Sequence, residues 1–262
     1  MAVPQLSILF MSISLFTALA LPLILLLAFR KVFSLKIAPF FAGYAGYFIF
    51  SEIAKRLLDF LALSPDASGV IALTRIPALY ALYIAATVSI FEESARLTAV
   101  LIMNRRWKGV GLGISYGIGH GGCEAIFLVG LAMAHSIKAS NLLNSGSQAI
   151  ALNAASIADA NPFVFLVGAM ECIPGVAIQI SLSIIVWLAA ANGRRMKRLF
   201  PVAALLHAAA ALPAALMQAG IIGSLFAVEA AKFASAVFLT LFALCAYKVL
   251  CPPEYPNEMT HI

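Results

Sequence analysis

The chain of 262 residues is 63% hydrophobic and only 11% charged, where soluble domains run at about 25% charged residues. Its mean hydropathy of +1.01 excludes an ordinary soluble enzyme and marks a polytopic membrane protein. The net charge of +6 falls mostly in short loops beside apolar stretches, so it reads as a topology signal and not as a nucleic-acid surface.

A spanning helix needs about 20 mostly apolar residues. Seven stretches qualify: 4–29, 37–62, 76–103, 109–135, 162–191, 200–219 and 223–249. They predict an all-α, polytopic transmembrane bundle of seven helices (eight if an interfacial segment splits off) in a single integral-membrane domain over 1–262. The first stretch has no basic region before it and runs past the length of a signal-peptide core, so it is read as retained. The last third of the second carries Glu52, Lys55, Arg56 and Asp59, spaced for i,i+4 pairs, and belongs at the interface.

Basic residues cluster at alternate ends. Arg30, Lys31 and Lys36 follow the first stretch, and Arg105, Arg106 and Lys108 the third. Arg194, Arg195, Lys197 and Arg198 follow the fifth, and Lys248 closes the seventh. This alternation predicts a multi-pass protein of the cell membrane with its N-terminus outside and its C-terminus in the cytoplasm. The loop 136–161, rich in Ser, Asn and Ala, is then outside. Cys123, Cys172, Cys245 and Cys251 form no C-x-x-C pair and read as ordinary buried or interfacial thiols.

Ionisable residues inside spans are costly and mark function. In the third stretch Glu92 and Glu93 both reach Arg96, at i,i+4 and i,i+3. Two adjacent carboxylates cannot both ionise cheaply in a low-dielectric site. Arg96 can neutralise one and leave the other as a general base. In the fourth stretch His120 and Glu124 are i,i+4, so the carboxylate can fix the imidazole tautomer. Gly111, Gly113, Gly117, Gly119, Gly121 and Gly122 clear one face there, for a helix neighbour or for a substrate chain approaching His120. His207 and Gln179 come from the sixth and fifth stretches. Counted from the basic ends, Glu92, Glu93, His120 and His207 lie about 10–17 Å deep, with Gln179 at a similar level. Nearer the other ends, Glu229 and Lys232 are spaced to pair, and Glu171 is a partner for Arg75.

The segments Phe91-Glu92-Glu93-Ser94-Ala95-Arg96 and Gly119-His120-Gly121-Gly122-Cys123-Glu124-Ala125-Ile126 resemble the YhfC family of intramembrane proteases. That family resembles the wider CPBP group, which includes the CAAX prenyl endopeptidases, and the PrsW proteases. The resemblance runs from the first helix to about residue 216. It implies peptide hydrolysis in the membrane by a water activated at Glu92 or Glu93, in a cavity open to the cytoplasm. His120 would position the water or donate a proton to the leaving amine, and His207 would stabilise the oxyanion. The substrate would be a membrane-embedded or membrane-associated peptide. The relatives place Asn or Asp four residues after the last histidine, where this chain has Ala211; Gln179 is the substitute donor. The preferred reading needs no cofactor. The alternative is Zn²⁺ held by His120, His207 and Glu92. A proton- or metal-coupled transporter and a non-catalytic peptide-binding relative are the other function classes; acidic residues threading the whole membrane would favour the transporter.

Overall fold

The computed structural model describes residues 2–65, 71–146, 156–191 and 196–251. Arg194, Arg195, the Lys197 side chain and the 147–155 part of the outer loop lie outside the described residues. The helices are α1 (Gln5–Phe29), α2 (Ile37–Ala62), α3 (Pro77–Met103), α4 (Gly111–Asn144), α5 (Phe163–Ala191), α6 (Met196–Gln218) and α7 (Leu225–Leu250). The fold is an all-α polytopic bundle. Six of the seven are long and apolar enough to span. The other, α3, has 27 residues and would cross a membrane by length, but it carries Glu92, Glu93 and Arg96. That helix is the one that needs the others around it.

The axis is α5. In its most apolar window 78% of residues are buried, against 17–28% in the other apolar spans. It is therefore wrapped by protein, while its neighbours turn residues such as Phe16, Phe60, Leu205 and Phe226 outward, the face a bilayer would cover. Its neighbours are α1, α3, α4, α6 and α7, whereas α2 packs on α4, and α3 on α6.

Glycines set the closest approaches. A Cβ on Gly117 would meet Ile180 Cα at 2.6 Å, and one on Gly113 would meet Ser183 O at 2.9 Å, so that side of α4 lies against α5. On the other side a Cβ on Gly119 would collide with the Phe40 carbonyl, and one on Gly43 with the backbone of Tyr116 and His120. The glycine faces of α4 are thus filled by α5 and α2. They serve helix packing, and the room for a substrate chain that the sequence also allowed is taken by these backbones.

The fourth helix is longer than its apolar stretch. It runs to Asn144 and not to 135, through His135, Ser136, Lys138 and Ser140. Asn144 explains the extension. Its side chain accepts from Val3 N at 2.7 Å and donates to Val3 O at 3.1 Å, tying the helix end to the start of α1. Two π-helical segments interrupt the ladders, Phe48–Lys55 in α2 and Ile126–Gly130 in α4. They touch through Phe48 and Phe127, 5.7 Å apart. Such segments recur beside functional sites. The interfacial pairs expected in α2 form: Lys55–Asp59 and Arg56–Glu52, each at 2.6 Å.

Gly117→Ala forces α4 off α5 and should destabilise the protein by roughly 1–3 kcal/mol, as overpacking does. Gly223, with nothing within 4 Å of an added Cβ, should accept Ala with no change. Thermal unfolding in mild detergent measures both.

Candidate functional site

Fixed helical rise brings the costly residues to one level. Glu92 is eleven residues from the end of α3, His120 nine from the start of α4, Gln179 twelve from the end of α5 and His207 eleven from the start of α6. At ~1.5 Å per residue all four lie about 14–18 Å from the helix ends that carry the basic loops. The side chains meet there, and Glu92, Glu93, His120 and His207 are each at most 5% exposed.

Arg96 organises the layer. Its fork donates to Glu93 Oε1 and to Gln179 Oε1, and Nε donates to Ser183 Oγ at 2.9 Å. Ser183 in turn donates to the Gln179 carbonyl at 2.7 Å. A guanidinium buried in this way needs both a carboxylate and further acceptors. Arg96 therefore neutralises Glu93, and Glu92 is the carboxylate without a guanidinium partner.

Two side chains hydrogen-bond to one oxygen and a third stands close by. Glu92 Oε2 lies 3.0 Å from His120 Nε2, 3.0 Å from Gln179 Nε2 and 3.7 Å from His207 Nε2. His207 Nδ1 is held by Glu93 Oε1 at 2.8 Å. His120 Nδ1 is 3.3 Å from the Tyr116 hydroxyl, and the Tyr47 ring meets the imidazole edge-on, 5.3 Å between centroids at 89°. If Tyr116 donates to Nδ1, the proton of neutral His120 is on Nε2 and points at Glu92. The remaining Glu93 oxygen, Oε2, is buried with no hydrogen-bond partner.

Several pairings differ from those expected. Glu124 does not hold His120; it accepts from Gln179 Nε2 at 2.7 Å, because the imidazole turns toward α3 and α2. Lys232 pairs with Glu171 on α5 at 2.6 Å, not with Glu229 on its own helix, since α5 and α7 pack together at that level. Glu171 accordingly meets Lys232 and not Arg75. Tyr116, Tyr47 and Ser183 were missed. Their only signal is spacing: Tyr116 precedes His120 by one turn, and Ser183 follows Gln179 by one turn. On the side of the basic loops the layer is closed by packed apolar residues, among them Val100, Leu112, Ile185, Trp187 and Leu188.

A zinc ion imposes a definite spacing on its ligands. Bonds of about 2.0–2.1 Å to a tetrahedral zinc hold the ligand atoms roughly 3.3 Å apart. Glu92 Oε2 to the two Nε2 atoms, at 3.0 and 3.7 Å, brackets that spacing. Each imidazole is also held from behind, His207 by Glu93 and His120 by Tyr116, as metal-bound histidines are. Among the described residues no group of three or more His, Cys, Asp and Glu stands arranged around a metal position; these donors contact one another instead. The chemistry of the set fits zinc, and its present geometry is a hydrogen-bonded one.

Comparison with known proteins follows the same residues. Residues 17–231 match the YhfC intramembrane metalloprotease family, a span that contains the whole layer. The chain belongs to that family. It is therefore a multi-pass membrane protein of an intramembrane protease family. It is 29% identical over 238 residues to the "Uncharacterized membrane protein YhfC" of Bacillus subtilis (strain 168), covering 87% of this chain and 91% of that one. No solved structure matches.

Removing Arg96 leaves Glu93 as an uncompensated buried charge. Arg96→Met should cost roughly 3–5 kcal/mol and lower the unfolding midpoint in detergent far more than Ser183→Ala, which removes one neutral partner.

Proposed function

We propose that the chain hydrolyses peptide bonds of membrane-embedded or membrane-associated peptides, with the water activated at Glu92. The observation that carries this is the convergence of His120 and Gln179 on Glu92 Oε2, with His207 Nε2 3.7 Å away. A carboxylate oxygen that accepts from two buried N–H donors marks a place where negative charge is stabilised. Glu92 takes the proton from water there. The donors it releases, the His120 and Gln179 N–H groups, are then free to hold the oxyanion of the tetrahedral intermediate, and protonated Glu92 returns its proton to the leaving amine. The unpartnered Glu93 Oε2 accepts from the water or from the scissile N–H. Gln179 takes the place of the polar residue that relatives carry where this chain has Ala211. The substrate must be locally unwound, because an intact helix hides its carbonyls.

The layer lies nearer the ends with Lys31, Lys36 and Arg106, which the charge rule assigns to the cytoplasm. We accordingly orient the N-terminus outside and the C-terminus in the cytoplasm, and put the cut in the cytoplasmic half of the bilayer. The closed packing on that side means that substrate entry requires helix movement.

A metal-dependent form of the same reaction is supported by the fit of the donor set and by the family's description. His120, His207 and Glu92 would hold the ion, with Glu93 and Tyr116 holding the imidazoles in place. Zinc there would polarise the carbonyl and make its bound water more acidic. In that form the base would be Glu93, through Oε2, the oxygen outside its pair with Arg96.

Glu92→Gln and His120→Ala should each lower cleavage of a membrane-anchored reporter by about 10²–10⁴-fold without loss of folded protein; full activity in both variants would end the assignment. A chelator separates the two forms. Cleavage lost to the chelator and restored by zinc establishes the metal form, and cleavage untouched by it establishes the metal-free form.

A further inference from the structure

Each peptide bond cut consumes one water, yet the four acid and imidazole groups are closed off. Glu124 is the member of the bonded set that reaches a surface. On one side it accepts from Gln179, whose amide also donates to Glu92. On the other it lines a narrow cleft with Gly121 of α4, Glu171 and Gly175 of α5, and Lys232 of α7. Here α4 and α7 both pack on α5 and hardly on each other, so the cleft lies between them with α5 as its floor.

Among otherwise apolar lining residues such as Leu128, Val129 and Val176, the cleft holds three ionisable groups at a depth where lipid would penalise them. Glu171 is eight residues into α5 and Lys232 seven into α7, about 12 and 10 Å from the ends opposite the basic loops. Both are partly exposed, 32% and 21%. Ionisable groups at such depth face water-filled space. Glu229, one turn from Lys232, has a buried carboxylate oxygen with no hydrogen-bond partner, an acceptor that water satisfies. The floor is open as well. A Cβ on Gly175 would meet only the Lys232 side-chain end, at 3.8 Å, whereas one on Gly121 would meet Val176 Cα at 3.0 Å.

We infer that this cleft is a water inlet that feeds the hydrolytic layer from the half of the membrane opposite the basic loops, with the Glu171–Lys232 pair at its mouth and Glu124 at its inner end. Its purpose rests on the proteolytic reading. Its wetness does not, and is measured without substrate.

The probe is silver ion, a thiol reagent close to water in size and excluded from lipid. Cys123, Cys172, Cys245 and Cys251 are first replaced by Ala. Gly175→Cys, Lys31→Cys on the basic side and the outward-facing Leu205→Cys (71% exposed) are then made singly. Each is exposed briefly to silver in sealed vesicles of either orientation, and the thiols left unreacted are counted after solubilisation with a maleimide. Gly175→Cys should be blocked at least about tenfold faster than Leu205→Cys, and from the side opposite Lys31→Cys. Equal rates, or blocking only from the Lys31 side, would overturn the inlet. In the cysteine-containing protein, Gly175→Leu fills the floor without touching backbone and should slow reporter cleavage, while undiminished cleavage would also overturn it. Failure of the Glu92 and His120 variants to lose activity would remove the protease reading and leave the silver result standing.

Discussion

Two carboxylates on adjacent residues of one membrane helix are the constraint that shapes this protein. Neither can stay ionised in hydrocarbon unaided, and together they repel. Arg96 meets that cost only because it has partners beyond Glu93. Its other donors reach Gln179 and Ser183 on α5, so α3 and α5 must approach closely. Gln179 must reach Glu92 on α3 and Glu124 on α4 at once, so α4 must approach α5 closely too. That approach is why Gly113, Gly117 and Gly121 carry no side chains. The glycine stripe, the burial of α5 and the ion pair are one requirement seen in three places.

The layer itself was legible in the sequence because of its cost. Glu92, Glu93, Arg96, His120 and His207 stand out against an apolar background, and the fixed rise of a helix makes their depth countable. What could not be read was rotation about each helix axis. His120 and Glu124 share an i,i+4 spacing, yet they serve different partners, because one turns to α3 and the other to α5. Lys232 could reach Glu229 along its own helix, and packing gave it Glu171. Tyr116, Tyr47 and Ser183 are ordinary residues in membrane helices, and only tertiary contact singles them out. The end of α4 escaped because its last turns look like a loop by composition, and the Asn144 clasp on Val3 spans 141 positions.

Ala211 illustrates a trade between helices. The family resemblance predicts a polar group one turn after His207. Here that position packs against the small residues Ala81, Ala85 and Ala215, which let α6 lie close on α3 and bring His207 to Glu93. A polar side chain there would need a partner in this apolar seam. On α5, Gln179 presents an amide to Glu92 and is itself bonded to Arg96, which is why we propose it as the donor in place of residue 211.

The distribution of polar groups also bears on the transporter alternative. A relay across the membrane needs titratable groups through its whole thickness. Here they run from Glu171, Lys232 and Glu229 to Glu124, and on through Gln179 to Glu92, Glu93, Arg96 and the histidines. Beyond Arg96 the row stops at Val100, Leu112, Ile185 and Leu188, which pack into the apolar core. A path of the kind proposed, entering from one half and ending against packed hydrocarbon, would carry nothing across, and that favours the hydrolytic proposal over a transporter.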